Sequence, residues 1–177
     1  MLIDLMRARR SVRAFEVRPV ESEKVDILIE AALRSPSAVN RRPCEFIVVT
    51  DTDKLRALSE AKSTGSSFLK TAPLAIVVCA HPDKSDVWIE DASIASIVLH
   101  LAATDLGLGS CWIQIRLRAH DAERAAQDHV AEVLGLSADM TVESIIAIGY
   151  SAENKPGHDK ADLPYDKVSY NAHGGKH

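Results

Sequence analysis

The sequence is short of the residues that build cross-linked, membrane-spanning or base-stacking proteins. It has three cysteines, Cys44, Cys79 and Cys111, an odd number with no Cys-x-x-Cys spacing, which points away from a disulfide framework or a zinc knuckle. Two of them fall in apolar runs that read as strands, where reduced, buried thiols are expected. No apolar run approaches the roughly 20 residues of a membrane span, and the N-terminus lacks the sustained apolar stretch of a secretory leader. Acidic Asp4 and Glu16 argue against a transit peptide, so a cytoplasmic location is expected. The seven histidines are scattered; the one close helical spacing, His173 to His177, lies in a Gly-containing tail, and no metal site is expected. A nucleic-acid surface is disfavoured too, because the net charge is −4 and no aromatic set accompanies the arginines.

Several catalytic signatures are also missing. Gly107-Leu108-Gly109 begins like a dinucleotide fingerprint, but Trp112 stands at the third glycine position and the run follows a helix instead of a strand. There is no Gly-Lys-Ser/Thr phosphate loop, and Ser110 is not in a Gly-x-Ser-x-Gly elbow.

What the chain does have is 177 residues with 46% apolar content, enough for a single domain with a real core. Apolar periodicity predicts helices over residues 2–9, 22–34, 52–61, 86–106 and 119–134, and strands over 44–50, 74–80, 110–115 and 142–150. Asp51 or Thr52 can cap the third helix, and the Ser/Gly-rich stretch 62–67 is the best candidate for a mobile loop. The helix over 86–106 is apolar on more than one face, which calls for burial on nearly all sides and favours a partner subunit.

Arg9-Arg10-Ser11-Val12-Arg13 concentrates three guanidiniums and a hydroxyl in an otherwise acidic chain. Guanidinium forks match phosphate oxygens, so a phosphorylated small ligand suits this cluster. The plainer reading is a solvated cap, since cations near a helix C-terminus interact well with its dipole. Downstream, Ser35-Pro36-Ser37-Ala38-Val39-Asn40 ends the second helix in a loop just before a strand, a setting where binding groups concentrate.

Arg-Arg-Ser-x-Arg-x-Phe over 9–15, then Ser-Pro-Ser-x-x-Asn-x-x-Pro over 35–43, resembles the nitroreductase family of FMN-dependent, NAD(P)H-oxidising homodimers. The resemblance continues through residues 91–95, 101–113 and 146–150, and covers essentially residues 3 to 170. It implies an α+β, nitroreductase-like three-layer fold: a central mixed sheet flanked by helices, in an intertwined homodimer with shared active sites. Residues 1–150 would form the FMN-binding domain, and residues 151–177 an extension packing on the partner, with 167–170 ordered by the dimer. By the same resemblance, Arg9, Arg10, Ser11 and Arg13 match positions that hold the FMN phosphate, ribityl chain and one ring edge. Arg13 stands near the pyrimidine N1 and O2. Pro36, Ser37, Ala38 and Asn40 match positions supplied by the other subunit. Trp112, Ile113 and Gln114 match the segment along the ring, with the backbone N–H near Gln114 facing flavin N5; from alternation alone, Trp112 and Ile113 are equally well read as ordinary strand residues.

The implied chemistry is two-step. NAD(P)H gives hydride to flavin N5 and leaves, and a nitroaromatic, quinone or similar small acceptor then takes electrons at the same face. The flavin carries the redox chemistry, so no catalytic side chain is expected. The alternatives are a flavin-binding or sensing protein with little turnover, or other flavin chemistry such as dehalogenation, flavin fragmentation or metabolite dehydrogenation. The chain departs from the family pattern at Arg41-Arg42-Pro43-Cys44, where Gln-Pro-Trp is often found, and Arg42 suggests an anionic acceptor.

Overall fold

A computed structural model describes residues 1–176; His177, half of the histidine pair noted above, lies outside them. Four strands, β1 (Cys44–Val49), β2 (Leu74–Ala80), β3 (Gly109–Gln114) and β4 (Thr141–Gly149), form one sheet in the order β1-β2-β4-β3. All three pairings are antiparallel, so the mixed sheet expected above is corrected. The parallel component among the described residues is one bridge, Ser11 to Ser110, because the N-terminal segment touches the β3 edge and then turns away to pair Phe15 with Ser151.

β2 is buried at every position and β4 at all but its first. Strands buried on both faces read as continuous apolar runs, which is why Leu-Ala-Ile-Val-Val-Cys-Ala was legible without alternation. Each face needs its own cover. Helices α2 (Ser22–Leu33) and α4 (Trp88–Asp105) pack on one side through Leu28, Ala32, Ala92, Leu99 and Ala103. On the other side α3 (Thr52–Ser59) and α5 (Ala126–Leu134) bring Leu55, Leu58, Ala126 and Val130. The result is the expected three layers, with the short helix α1 (Leu2–Ala8) lying against α4.

Local chemistry sets the boundaries. Asp51 caps α3 by accepting the Lys54 N–H at 2.9 Å. Gly107, at φ 73°, follows the end of α4, and Gly135, at φ 67°, closes α5. The helix predicted from residue 119 starts only at Ala126, because the Asp121 carboxylate accepts the N–H groups of Glu123 and Arg124 and holds a turn there. The stretch over 62–67 is tied down more than its composition suggests: Ser66 is buried and donates to the carbonyls of Ser59 and Lys62. The apolar girth of α4 is only half covered, since Ile94 and Ile97 each stay 38% exposed.

Polar side chains inside the core are paired across layers. His100 on α4 shares a 2.6 Å hydrogen bond between Nδ1 and Ser110 Oγ and stacks against Trp112, with ring centroids 6.5 Å apart. Burial, and secondarily the Arg9 charge, push its pKa down to about 4. Just past the end of β4, Tyr150 Oη donates to Glu21 Oε2 at 2.7 Å and accepts from Lys24 Nζ at 2.9 Å, while Arg18 stacks 3.8 Å over its ring.

The His100 shift sets a pH dependence with a definite sign. A histidine whose folded pKa lies below its unfolded value adds stability above about pH 6.5, and that stability is lost as pH falls toward 4. Urea unfolding at pH 7 and pH 5 is expected to show a fall of about 2 kcal/mol from this group. His100→Gln is expected to flatten that interval, and an equal loss in the variant would refute the assignment.

Candidate functional site

β3 is the edge strand next to β4, and its chemistry follows from that position. Antiparallel pairing points alternate residues' N–H and C=O groups at the neighbour and the others outward. Ile115 N–H bonds Glu143 O across the pair, so the backbone groups of Ser110, Trp112 and Gln114 face the open edge. The N-terminal segment covers only the start of this edge, through Val12 N–H to Ser110 O at 3.0 Å. That approach requires glycine at 109, where a Cβ would sit 2.8 Å from Val12. Beyond Ser110 no other described segment bonds the outward groups.

The arginine segment is therefore fixed beside an uncovered strand edge. Arg9 and Arg10 are half-buried and line a cleft of about 180 Å³ with Thr104, Gly109, Asn154 and Lys155. Arg10 donates to the Pro156 carbonyl; Arg13 lies 5.9 Å over the Phe68 ring and gives its backbone N–H to Glu153 Oε1 at 2.6 Å. Lys155 bonds both Glu153, at 2.8 Å, and the carbonyl of Ser11, at 3.3 Å. No guanidinium of Arg9, Arg10 or Arg13 is paired with a carboxylate among the described residues, whereas Arg7, Arg18, Arg34, Arg41 and Arg124 all are. Three unneutralised cations beside free backbone donors suit an anionic, planar ligand.

The second predicted group sits elsewhere in the chain. Val39, Asn40 and Arg42 all have positive φ, at 49°, 58° and 50°. Asparagine tolerates that conformation, but a β-branched valine does not, and such strain gathers at functional loops. The loop is held by buried Asp91 at the start of α4, whose carboxylate accepts Ala38 N–H at 2.8 Å and Ser85 Oγ–H at 3.1 Å. Ser37 Oγ accepts Arg42 N–H and Asn40 Oδ1 accepts Arg42 Nε, both at 2.9 Å. Exposed Pro36 and half-buried Ser37 line a cleft of about 280 Å³ with Arg42, Cys44, Phe46 and Ala95. Burial pushes the Cys44 thiol up to about 11, so it is no ready nucleophile.

Within one chain these two groups are not brought together. Asp91 and Thr104 mark opposite ends of α4, separated by roughly 20 Å of helix at about 1.5 Å per residue. The third group divides as a strand must. The Ile113 side chain is buried in the α3/α5 layer, while Trp112 and Gln114 face α4, with Trp112 Nε1 donating to Gln114 Oε1 at 2.8 Å. Gln114 Nε2 in turn donates to Arg116 O at 3.1 Å and Glu143 Oε1 at 3.3 Å.

Three features here escaped sequence reasoning. Leu117 follows β3 with φ 56°, is 81% exposed, and its N–H has no acceptor among the described residues. Glu143 occupies the irregularity where the β2/β4 register jumps, and its carboxylate turns inward with Oε2 unbonded and Arg116 Nε at 4.0 Å. His100 is the third. Glu143 and His100 carry a visible signal, a polar residue inside an apolar run; Leu117 carries none, because nothing in its identity announces a left-handed turn.

Known proteins resemble this chain in sequence and in fold. The model of the nitroreductase family matches residues 6–65 and 57–150. A protein of Archaeoglobus fulgidus, provisionally named an NADH dehydrogenase/NAD(P)H nitroreductase, is 35% identical over 164 residues, spanning 90% of this chain and 91% of its own. The solved structure of an FMN-dependent nitroreductase from Clostridium difficile R20291 superimposes with a TM-score of 0.95 at 47% identity, covering 96% of this chain and 99% of that one. One from Parabacteroides distasonis, also provisionally named an NADH dehydrogenase/NAD(P)H nitroreductase, reaches 0.88 at 33% identity, with 97% and 98% covered. A match over nearly the whole length, in sequence and in fold, leaves one conclusion: the chain belongs to the nitroreductase family.

Proposed function

We propose that the chain is an FMN-dependent oxidoreductase that draws electrons from NADH or NADPH and passes them to a small acceptor, a nitroaromatic or a quinone, in a ping-pong cycle. The observation that carries this reading is the set of three guanidiniums without a carboxylate partner among the described residues, laid beside the uncovered β3 edge. The FMN-dependent relative at 47% identity supports the choice of flavin, and the name of the Archaeoglobus protein supports the donor.

In this reading Arg9 and Arg10 grip the phosphate, Ser11 adds a hydroxyl, and Arg13 places a full positive charge at the pyrimidine edge. When bound, FMN supplies the redox chemistry. The backbone edge at Trp112 to Gln114 would orient the ring, Ile113 contributing through its main chain because its side chain is committed to the core. No side chain is assigned an acid, base or nucleophile role.

Pro36, Ser37, Ala38 and Asn40 would reach the flavin from a second copy of the chain, since their own Arg9–Arg13 segment lies at the far end of α4. A dimer is supported by the open stripe of Ile94 and Ile97 and by Leu2, Ile3 and Met6 of α1, all exposed. The accessible surface, 10417 Å², also exceeds the roughly 8,500 Å² of a compact monomer of this mass. Part of the excess is the extension beyond Gly157, where Leu163, Tyr165 and Val168 stay exposed; packing on the partner would cover them.

Anaerobic mixing of FMN-loaded protein with NADH or NADPH is expected to bleach the flavin absorbance rapidly. FMN that is retained but stays oxidised would favour a flavin-binding or sensing protein instead. Arg9→Ala and Arg10→Ala are each expected to weaken FMN binding about tenfold to a hundredfold, the loss of one charge-assisted phosphate contact, as read by fluorescence titration. Unchanged affinity in the double variant would remove the phosphate assignment. Ile97→Glu is expected to give monomers, by sedimentation, that no longer retain FMN.

Arg42 borders the cleft of the 35–43 loop, so Arg42→Gln is expected to lower kcat/KM for an anionic quinone more than for a matched neutral one. Unaltered selectivity would discard the anionic-acceptor reading.

A further inference from the structure

On the α3 side of the molecule lies a cleft of about 560 Å³ that takes no part in the site described above. Arg56, Lys62 and Lys70 line it, with the hydroxyls of Ser63 and Ser67 and the ring of His120. Glu60 is the one acid on its wall. None of the three cations is paired with a carboxylate among the described residues, although the chain holds 25 acids against 21 bases. An acidic chain that leaves three cations unneutralised around one hollow has built a positive site there.

The detail of the cleft suits a phosphate. Lys62 Nζ folds back over the tight turn at Gly65, 3.6 Å from where a Cβ would stand, so the ammonium lies close to the loop. Burial, and then the charge of nearby Arg118, lower the Lys62 pKa, a penalty that a bound anion would reverse. The N–H groups of Ser63, Thr64 and Gly65, in the same loop, make no hydrogen bond among the described residues. His120 offers a flat wall whose other face is stacked on His129 at 4.4 Å, and its Nδ1 is engaged by the Ala61 carbonyl at 3.3 Å.

Its position relative to β3 narrows the ligand. Ser67 on the cleft wall is followed by Phe68, whose ring lies under Arg13, and Arg118 follows Leu117 at the end of β3. The cleft thus adjoins the pyrimidine edge of the proposed flavin. Its volume exceeds the needs of a bare phosphate ion and falls in the range of small-molecule sites. Besides FMN, the phosphorylated species that the reaction requires is its reduced dinucleotide.

We infer that this cleft receives the phosphorylated adenosine end of NADPH, with Arg56, Lys62 and Lys70 around the 2′-phosphate, and that the enzyme therefore prefers NADPH to NADH. This rests on the oxidoreductase reading above and adds the choice of donor to it.

The test uses the FMN-loaded protein and two readouts. In calorimetric titration, adenosine 2′,5′-bisphosphate is expected to bind at least about tenfold more tightly than adenosine 5′-monophosphate, the worth of one charge-assisted contact. Arg56→Gln combined with Lys70→Gln is expected to abolish that difference and to lower the ratio of kcat/KM for NADPH over NADH about a hundredfold, while bound FMN content stays that of the parent. Equal binding of the two nucleotides, or a difference that survives in the variant, would overturn the inference. So would inorganic phosphate binding as tightly as the bisphosphate, which would mark a plain anion site, or loss of FMN from the variant, which would assign the cleft to the flavin. If neither nicotinamide reduces the flavin, the oxidoreductase reading fails on its own, and the nucleotide titration still reports on the cleft.

Discussion

β2 and β4 are buried on both faces, and in such strands every backbone polar group must find its partner inside the sheet. That constraint sends free hydrogen-bonding capacity to the edges. β1 is an edge too, but β3 is the edge that the cationic N-terminal segment reaches, and beyond Ser110 its outward N–H and C=O groups face open space. The candidate site is where the sheet runs out of partners on a rigid element, which is a good place to orient a planar ligand.

The edge alone would be unspecific. What gives it charge is the crossing of residues 9–13, held on one side by the close approach of Val12 to Gly109 and on the other by Lys155 and Glu153. Below it, hydrogen bonds from His100 to Ser110 and from Trp112 through Gln114 to Glu143, at the irregular point of β4, are joined by the stacking of His100 on Trp112 between α4 and β3. Low dielectric makes such a network sensitive to the loss of any member. It also links the orientation of Trp112 and Gln114 to α4, so the helix that holds the 35–43 loop through Asp91 at one end supports the β3 edge at the other.

Much of this was legible in the residues. Periodicity located all five helices and all four strands, and the limits of β2 were read to the residue, because a doubly buried strand is a bare apolar run between polar breaks. The start of α5 was misplaced, since Asp121 stops the helix by bonding backbone N–H groups, a local choice that apolar spacing does not register. The arginine and Ser-Pro-Ser segments were found by composition and spacing. Their separation along α4, the left-handed turn at Leu117 and the inward turn of Glu143 were not, because each depends on where a distant segment lies.

The sequence by itself therefore determined the elements, the two-sided core, the cationic segment and the loop over 35–40. These are local properties, set by side-chain character within a few residues of each position. Tertiary structure alone decided that the sheet is antiparallel, that residues 9–13 lie along β3, and that the 35–43 loop sits at the other end of α4. It also brought His120 to the wall of the cleft lined by Arg56, Lys62 and Lys70, where Glu60 is the single acid. Those facts join segments tens of residues apart, and no local preference encodes which partner the chain will bring back to a given edge.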